Sequence, residues 1–296
     1  MATRRDFVKS AALLSTGALL APALLAATAK QKAIGLQLYT VRDAMQQDPV
    51  GTLAKVAQLG FTSLEGATYT GTQQFYGMMP AVFRQVLRQQ GLSMPSSHYM
   101  LGEALENGQP KQGTILHGWD RAVDDAAAVG IKYMVCAYLF EDERGDLDHY
   151  KLLAERLNKA GERCRTAGIQ LCYHNHDFEF ATLGGQLPYD VLLSQTDKSL
   201  VQMELDLYWA VKAGHDPVAL FKAHPGRFPL WHVKDMAKTP PHGFTEVGNG
   251  SIDFARIFAQ AKCAGLRHFF VEQDETPGSP FDSIQQSISY LKRTLR

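Results

Sequence analysis

The sequence predicts a single-domain α/β protein, an eight-stranded (β/α)8 or TIM barrel over residues 30–296. Three observations lead there. Short apolar runs alternate with longer amphipathic ones eight times, the pattern of parallel strands joined by crossover helices. Five segments open directly after a glycine: Gly60-Phe61, Gly91-Leu92, Gly130-Ile131, Gly168-Ile169 and Gly265-Leu266. Glycine at such a place ends a helix in the left-handed conformation, and the next strand starts at once. The length left after an N-terminal leader, roughly 265 residues, suits one such barrel. An open doubly wound sheet is the competing architecture, but no G-x-G-x-x-G follows the first strand.

The expected strands are residues 34–38, 63–65, 93–97, 133–137, 169–173, 201–205, 230–233 and 268–271. Between them lie helical stripes. Leu53, Val56, Ala57 and Leu59 make the first, and Val82, Phe83, Val86 and Leu87 the second. Longer helices are expected over 122–129, 152–164, 254–264 and 284–295, where apolar residues recur at helical spacing. No linker, repeat or low-complexity tract interrupts the series.

Ahead of the first strand stands Thr3-Arg4-Arg5-Asp6-Phe7-Val8-Lys9, then a weakly apolar run over 11–25, then Ala27-Thr28-Ala29. A charged start, an apolar stretch and an A-x-A exit make an export signal. The paired arginines resemble a twin-arginine signal, which a receptor reads and which is no anchor. The expectation is a signal peptide over 1–29, the twin-arginine export machinery as a partner, and a periplasmic mature protein. The apolar run falls short of the ~20 residues that span a bilayer, and no cysteine near the exit invites a lipid, so no stable membrane anchor is expected.

Thirty basic residues balance thirty acidic ones. The basic residues are dispersed, with no stripe for a phosphate backbone, so no nucleic-acid partner is expected. Cys136, Cys164, Cys172 and Cys263 show no C-x-x-C spacing and read as small buried hydrophobes.

In a barrel of this kind reactive residues gather at the C-terminal ends of the strands. Here those ends are polar: Gln37-Leu38-Tyr39 after strand one, Glu65 after two, Ser96-Ser97-His98 after three. Strand five ends in His174-Asn175-His176-Asp177-Phe178-Glu179, six in Glu204-Leu205-Asp206, seven in His232-Val233-Lys234-Asp235, eight in Glu272-Gln273-Asp274-Glu275. Any one has a bland reading, such as a carboxylate favouring a helix dipole. Together, strands five to eight bring a histidine or carboxylate each to one mouth. Mixed nitrogen and oxygen ligands suit one divalent Mn²⁺, Co²⁺, Fe²⁺ or Zn²⁺ better than Mg²⁺ or Ca²⁺. Arg42-Asp43 is expected to form an ion pair at a helix start.

Four segments, Tyr173-His174-Asn175-His176-Asp177-Phe178-Glu179-Phe180, His232-Val233-Lys234-Asp235, Val247-Gly248-Asn249-Gly250-Ser251-Ile252-Asp253 and Val271-Glu272-Gln273-Asp274, carry a further message. Through them the chain resembles the xylose-isomerase-like superfamily of sugar phosphate isomerases and epimerases. The resemblance runs from Gln37-Leu38-Tyr39 to the last helix and implies one divalent metal held by Glu, Asp, His and Glu of strands five to eight. It assigns Asp206, His232 and Glu272 as metal ligands. At the strand-five position His174 stands where the superfamily has Glu. Glu179 or His176 is the alternative ligand there.

The resemblance implies a carbohydrate substrate. In the superfamily's isomerases and epimerases the strand-five and strand-eight carboxylates act as opposed bases. With only Glu272 left of that pair, two-base epimerisation is less expected. Expected instead is proton abstraction beside a sugar carbonyl and β-elimination, as in the superfamily's keto-inositol dehydratases and 3-keto-glycoside lyases. His98 and His176 are then the proton carriers, with Glu272. Lys234 and Glu65 would contact substrate, and Tyr39, Tyr99, Phe140, Tyr208 and Trp209 would stack on a ring or cap the barrel. Two other readings compete: a sugar-binding barrel without catalysis, and the DNA-repair endonucleases of the same fold. The endonucleases need a basic surface and more ligands than this chain has.

Overall fold

The computed structural model describes residues 33–295 apart from 104 and 107; the leader expected over 1–29 lies outside the described residues. Eight strands form a closed parallel barrel: β1 (Gly35–Gln37), β2 (Ser63–Gly66), β3 (Ser93–Tyr99), β4 (Tyr133–Cys136), β5 (Gln170–His174), β6 (Val201–Asp206), β7 (Leu230–Val233) and β8 (His268–Val271). They pair in chain order, and β8 returns to β1 with Leu36 opposite Val271. All eight expected strands are present, shifted by no more than two residues at an end.

Successive side chains of a strand face opposite ways, and the barrel sorts them into two cores. Val135, Cys172, Leu230 and Phe270 form an apolar plug inside the barrel. Gly35 completes it, because a Cβ there would lie 2.4 Å from the Phe270 ring. The alternate residues, among them Leu64, Met134, Leu171, Met203, Trp231 and Phe269, belong to the larger core under the helices. The five glycines expected at helix ends all have φ between +68° and +102°. Between β2 and β3 the register slips between Ser63 and Glu65. Pro95 lies in the slipped stretch of β3, and proline has no N–H to give a ladder.

Some local expectations change. The helix expected over 254–264 is two pieces, Phe254–Phe258 and Ala261–Ala264. Gln260 N–H turns back to the Ile257 carbonyl, a tighter bond that breaks the α-helical run. Arg42 does not pair with Asp43. It donates to the backbone carbonyls of Tyr39 and Asp274, at 3.0 and 2.9 Å. All four cysteines are free thiols, three of them buried. Among the described residues no helix is long and apolar enough to cross a membrane.

Candidate metal centre

The period-two alternation that fills the lower barrel with apolar groups turns polar one layer up. On β5 the step from Cys172 leads to His174, on β7 from Leu230 to His232 and Lys234, on β8 from Phe270 to Glu272. On β6 it gives Glu204 and then Asp206. Register places Asp206 beside His232 and His174 beside Glu204.

Asp206 is shaped by its local sequence. Its Oδ1 accepts the Trp209 N–H at 3.0 Å and caps the helix Leu207–Lys212, as an N-cap aspartate does. Its own N–H donates to Asn175 Oδ1 at 3.0 Å. The other oxygen, Oδ2, is buried and takes no hydrogen bond, but the Lys234 ammonium pairs with it at 3.0 Å. That oxygen also lies 3.7 Å from His232 Nδ1 and 3.8 Å from His174 Nε2. Glu272 Oε2 stands 2.7 Å from His232 Nδ1. One ligand atom from each of Asp206, His232 and Glu272 lies within 4.8 Å of the others. Two buried carboxylates and imidazole nitrogens facing one point fit a divalent cation. Asp206, His232 and Glu272 would hold it, with His174 at the edge of the group.

Behind the imidazoles lies a second layer that the sequence reading missed in part. Glu204 Oε2 is 2.8 Å from His98 Nε2, 3.2 Å from His174 Nδ1 and 3.3 Å from His232 Nε2. Glu65 Oε2 is 2.5 Å from His232 Nε2 and 3.3 Å from His98, and it accepts from Gln37 Nε2 at 2.8 Å. His174 and His232 thus present one ring nitrogen to the outer group and the other to a buried carboxylate. The inner atoms of His98, His174, Glu204 and His232 also cluster within 4.8 Å. Glu65, expected to touch substrate, has no exposed surface; it stands beneath the imidazoles, where substrate does not reach. Glu204 was findable, since it shares the inward face with Asp206 two residues on.

The charges of this floor shape one another. Burial works against the charge on His98, but Glu65 and Glu204 overcome it and push its pKa up to about 9. Burial likewise opposes charge on His232, and Glu204, Glu272 and Glu65 hold it well above the usual range. Burial and the neighbouring His232 and His176 keep His174 well below it. Burial would raise the Glu272 carboxyl, yet Lys234 and His232 hold it low. Lys234 is itself buried, with its ammonium 3.0 Å from Asp206 Oδ2 and 2.8 Å from both Glu272 Oε2 and Asp274 Oδ1. Three carboxylates, Asp206, Glu272 and Asp274, therefore face one fixed ammonium, while Glu65 and Glu204 face the imidazoles of His98 and His232. Buried charge of one sign is costly unless paired, which again favours a dication.

Above the floor opens a cavity of about 490 Å³, within the ~300–1,000 Å³ of small-molecule sites. Tyr39, His98, Tyr138, Phe140, His174, His176, Trp209, Lys234, Glu272 and Asp274 line it. Of the expected ring-stacking residues, Tyr39, Phe140 and Trp209 are here. Tyr99 and Tyr208 are not; both are buried in the core under the helices. His176 stacks on Phe178 with 3° between the planes, and Tyr138 stands edge-on to it. Its Nδ1 is buried without a hydrogen-bond partner. Glu179, the alternative ligand, turns away: it accepts from Tyr173 Oη–H at 2.6 Å and from the His176 backbone N–H at 2.7 Å. The motif 247–253 does not reach the cavity. Asp235 takes it up instead, accepting from the N–H groups of Gly248 and Gly250 at 2.9 Å and of Ile252 at 3.2 Å.

A closed parallel barrel with a histidine–carboxylate cluster at its C-terminal mouth defines the class. The sequence profile of the xylose isomerase-like TIM barrel family matches residues 53–294, and the chain belongs to that family. An inosose dehydratase of Clostridium beijerinckii is 28% identical over 174 residues, 52% of this chain and 56% of the relative; the chain thus spans about half the length of such relatives. A sugar phosphate isomerase/epimerase of Parabacteroides distasonis superposes with a TM-score of 0.75 at 29% identity, covering 90% of this chain and 95% of that one. The zinc-bound IOLI protein superposes with a TM-score of 0.69 over 89% of this chain and 98% of that one. At 13% identity that likeness is one of fold.

Proposed function

We propose that this protein is a divalent-metal-dependent enzyme that abstracts a proton beside the carbonyl of an oxidised sugar and expels a β-leaving group. The observation that carries the reading is His176, whose ring lines the cavity and whose ring nitrogens take no hydrogen bond among the described residues. The two cavity carboxylates, Glu272 and Asp274, are both engaged by Lys234. A free imidazole on one side and occupied carboxylates on the other suit one-base elimination better than two-base epimerisation. The dehydratase relative and the isomerase/epimerase neighbour support sugar chemistry of this general kind.

On a 3-keto-glycoside the step balances as follows. His176 takes the C2 proton, and the C–H electron pair moves toward the C3 carbonyl. It returns to form the C1=C2 bond as the C1–O bond breaks, and the departing oxygen takes a proton from the mouth, where His98 lies. The products are an unsaturated keto-sugar and a free alcohol, and no water is consumed. A divalent ion at Asp206, His232 and Glu272 would supply fixed positive charge where negative charge develops on the sugar oxygens. Lys234 holds the carboxylates apart from the reacting carbon, and Tyr39 and Trp209 flank the ring.

The test is incubation of the metal-loaded protein with 3-keto-glycosides, ketohexoses and keto-inositols, followed by NMR. Loss of the C2 proton, a vinylic C1 proton and free aglycone are expected, with slower reaction when C2 carries deuterium. Interconversion of a ketohexose with its C3 epimer, with nothing expelled, overturns elimination in favour of an epimerase. Binding without turnover leaves a sugar-binding barrel.

Export to the periplasm through the twin-arginine route completes the reading, supported by Arg4-Arg5 and Ala27-Thr28-Ala29. Changing both arginines to lysine is expected to hold the precursor in the cytoplasm. Unaltered export of that variant would remove the twin-arginine assignment.

A further inference from the structure

Beside the cavity, over the ends of β1 and β2, lies a second groove of about 360 Å³. Ala67 lines both spaces. The boundary between them is slight: Ala67 has only a methyl group, and its N–H donates to Tyr76 Oη at 3.0 Å. Tyr39 lines the cavity, 43% exposed, and the guanidinium of Arg42, which lines the groove, lies 4.3 Å over its ring.

The groove differs in chemistry from the cavity. Arg42, Gln46, Thr70, Gln73, Gln74 and Tyr76 supply amides, hydroxyls and one guanidinium, and no carboxylate lines it. Amide and hydroxyl groups both donate and accept, which matches a neutral ligand rich in hydroxyls. It matches neither a metal nor an acidic polymer. The segment carrying these groups is held in an unusual shape. Gln74 and Tyr76 have φ of +49° and +52°, a backbone conformation that non-glycine residues rarely hold and that gathers at ligand sites. Gln74 Nε2 donates to Asp125 Oδ2 at 3.0 Å, which anchors the segment to the helix Trp119–Val129.

We infer that this groove, joined to the cavity past Ala67, is the subsite for the leaving group, and that the leaving group is itself a sugar. The substrate class is then an oxidised disaccharide or longer glycoside, with its ketone ring over the metal centre and its second ring among Gln46, Gln73 and Thr70. The inference rests on the elimination reading above for which ring leaves. It rests on the groove's own chemistry for what binds there.

Two measurements separate those supports. Calorimetric titration of the metal-loaded protein with methyl glucoside, cellobiose, maltose and trehalose reads the groove without turnover. At least one disaccharide is expected to bind about 10-fold or more tightly than methyl glucoside. The Gln46→Ala/Gln73→Ala double variant, whose changes lie at exposed positions, is expected to erase that difference. Equal affinities, or a difference the variant leaves intact, overturn the subsite. The 3-keto derivative of the tighter disaccharide then reads the chemistry. Release of its second ring supports the whole inference. Tight binding sensitive to the variant, with no release, overturns the leaving-group assignment and the elimination reading while the sugar subsite stands.

Discussion

Glu204 and Asp206 stand one layer apart in the barrel, and depth sets what each carboxylate does. Asp206 offers an oxygen without a hydrogen bond to the outer group. Glu204 sits behind His174 and His232, at 3.2 and 3.3 Å from their inner nitrogens. Glu65 is hydrogen-bonded behind His232, 2.5 Å from its Nε2, and a carboxylate so placed behind a ligating imidazole fixes its tautomer and raises its basicity. Glu65→Gln is therefore expected to weaken binding of a divalent ion by about 10–100-fold. His176→Ala is expected to leave that affinity alone and to lower turnover by about 10²–10⁴-fold. Competition against a chelating dye reads the first and steady-state rates read the second. Wild-type metal affinity in the Glu65 variant would return that residue to a purely structural place. Much of this layer is legible from the sequence, because period two puts His174, Asp206, His232 and Glu272 on one face. Glu65 and Glu204 share that face too. What the sequence does not carry is depth along the barrel axis, which separates a substrate contact from a group behind the imidazoles.

At the scale of elements, strands were easier to read than the helices between β5 and β7. Pro188–Gln195 buries Pro188, Tyr189, Val191, Leu192 and Leu193, so its apolar residues fill most of its circumference and leave no clear 3.6-residue stripe. Leu207–Lys212 is short and buries Leu207, Tyr208 and Ala210. The segment after β5 shows what packing adds. Glu179 is buried, and burial pushes its pKa up to about 7 against the donors Tyr173 and His176. In the unfolded chain that carboxyl ionises near its ordinary 4.5. Between those values the folded state holds a proton the unfolded state has lost. Stability is therefore expected to fall as pH rises from about 4.5 to 7, by up to about 3 kcal/mol from this group, and to show no further change from it above that window. Denaturant titrations across that window check it. Glu179→Gln should flatten the slope, and an unchanged slope in that variant would assign it to another group.

For the whole molecule, the balance of thirty acidic and thirty basic residues hides an uneven distribution. Five carboxylates lie at the mouth or just beneath it, while among the described residues Lys234 is the one lysine or arginine paired to any of them. The imidazoles of His98 and His232 take up part of the excess by holding protons. A bound dication would do so more directly, and it would bind the folded chain far better than the unfolded one. Linkage then sets the size of the effect: an ion at a hundred times its dissociation constant adds about 2.7 kcal/mol. In a chain of this length that corresponds to a rise in Tm of roughly 5–10 °C. Thermal melts of chelator-stripped protein with added Mn²⁺, Co²⁺, Fe²⁺ or Zn²⁺ are expected to show it with at least one ion. Asp206→Ala and Glu272→Ala should each remove most of the ion-dependent rise, because each deletes an outer carboxylate. The sign of the ion-free melt of Glu272→Ala also separates two accounts of the mouth, whereas Asp206→Ala loses the cap on Leu207–Lys212 on either account. If repulsion among carboxylates dominates without an ion, removing one should raise the ion-free Tm. If the Lys234 pairs dominate, it should fall. A protein indifferent to all four ions, with both variants melting alike with and without them, would mean that the cluster is a buried proton network and no metal centre.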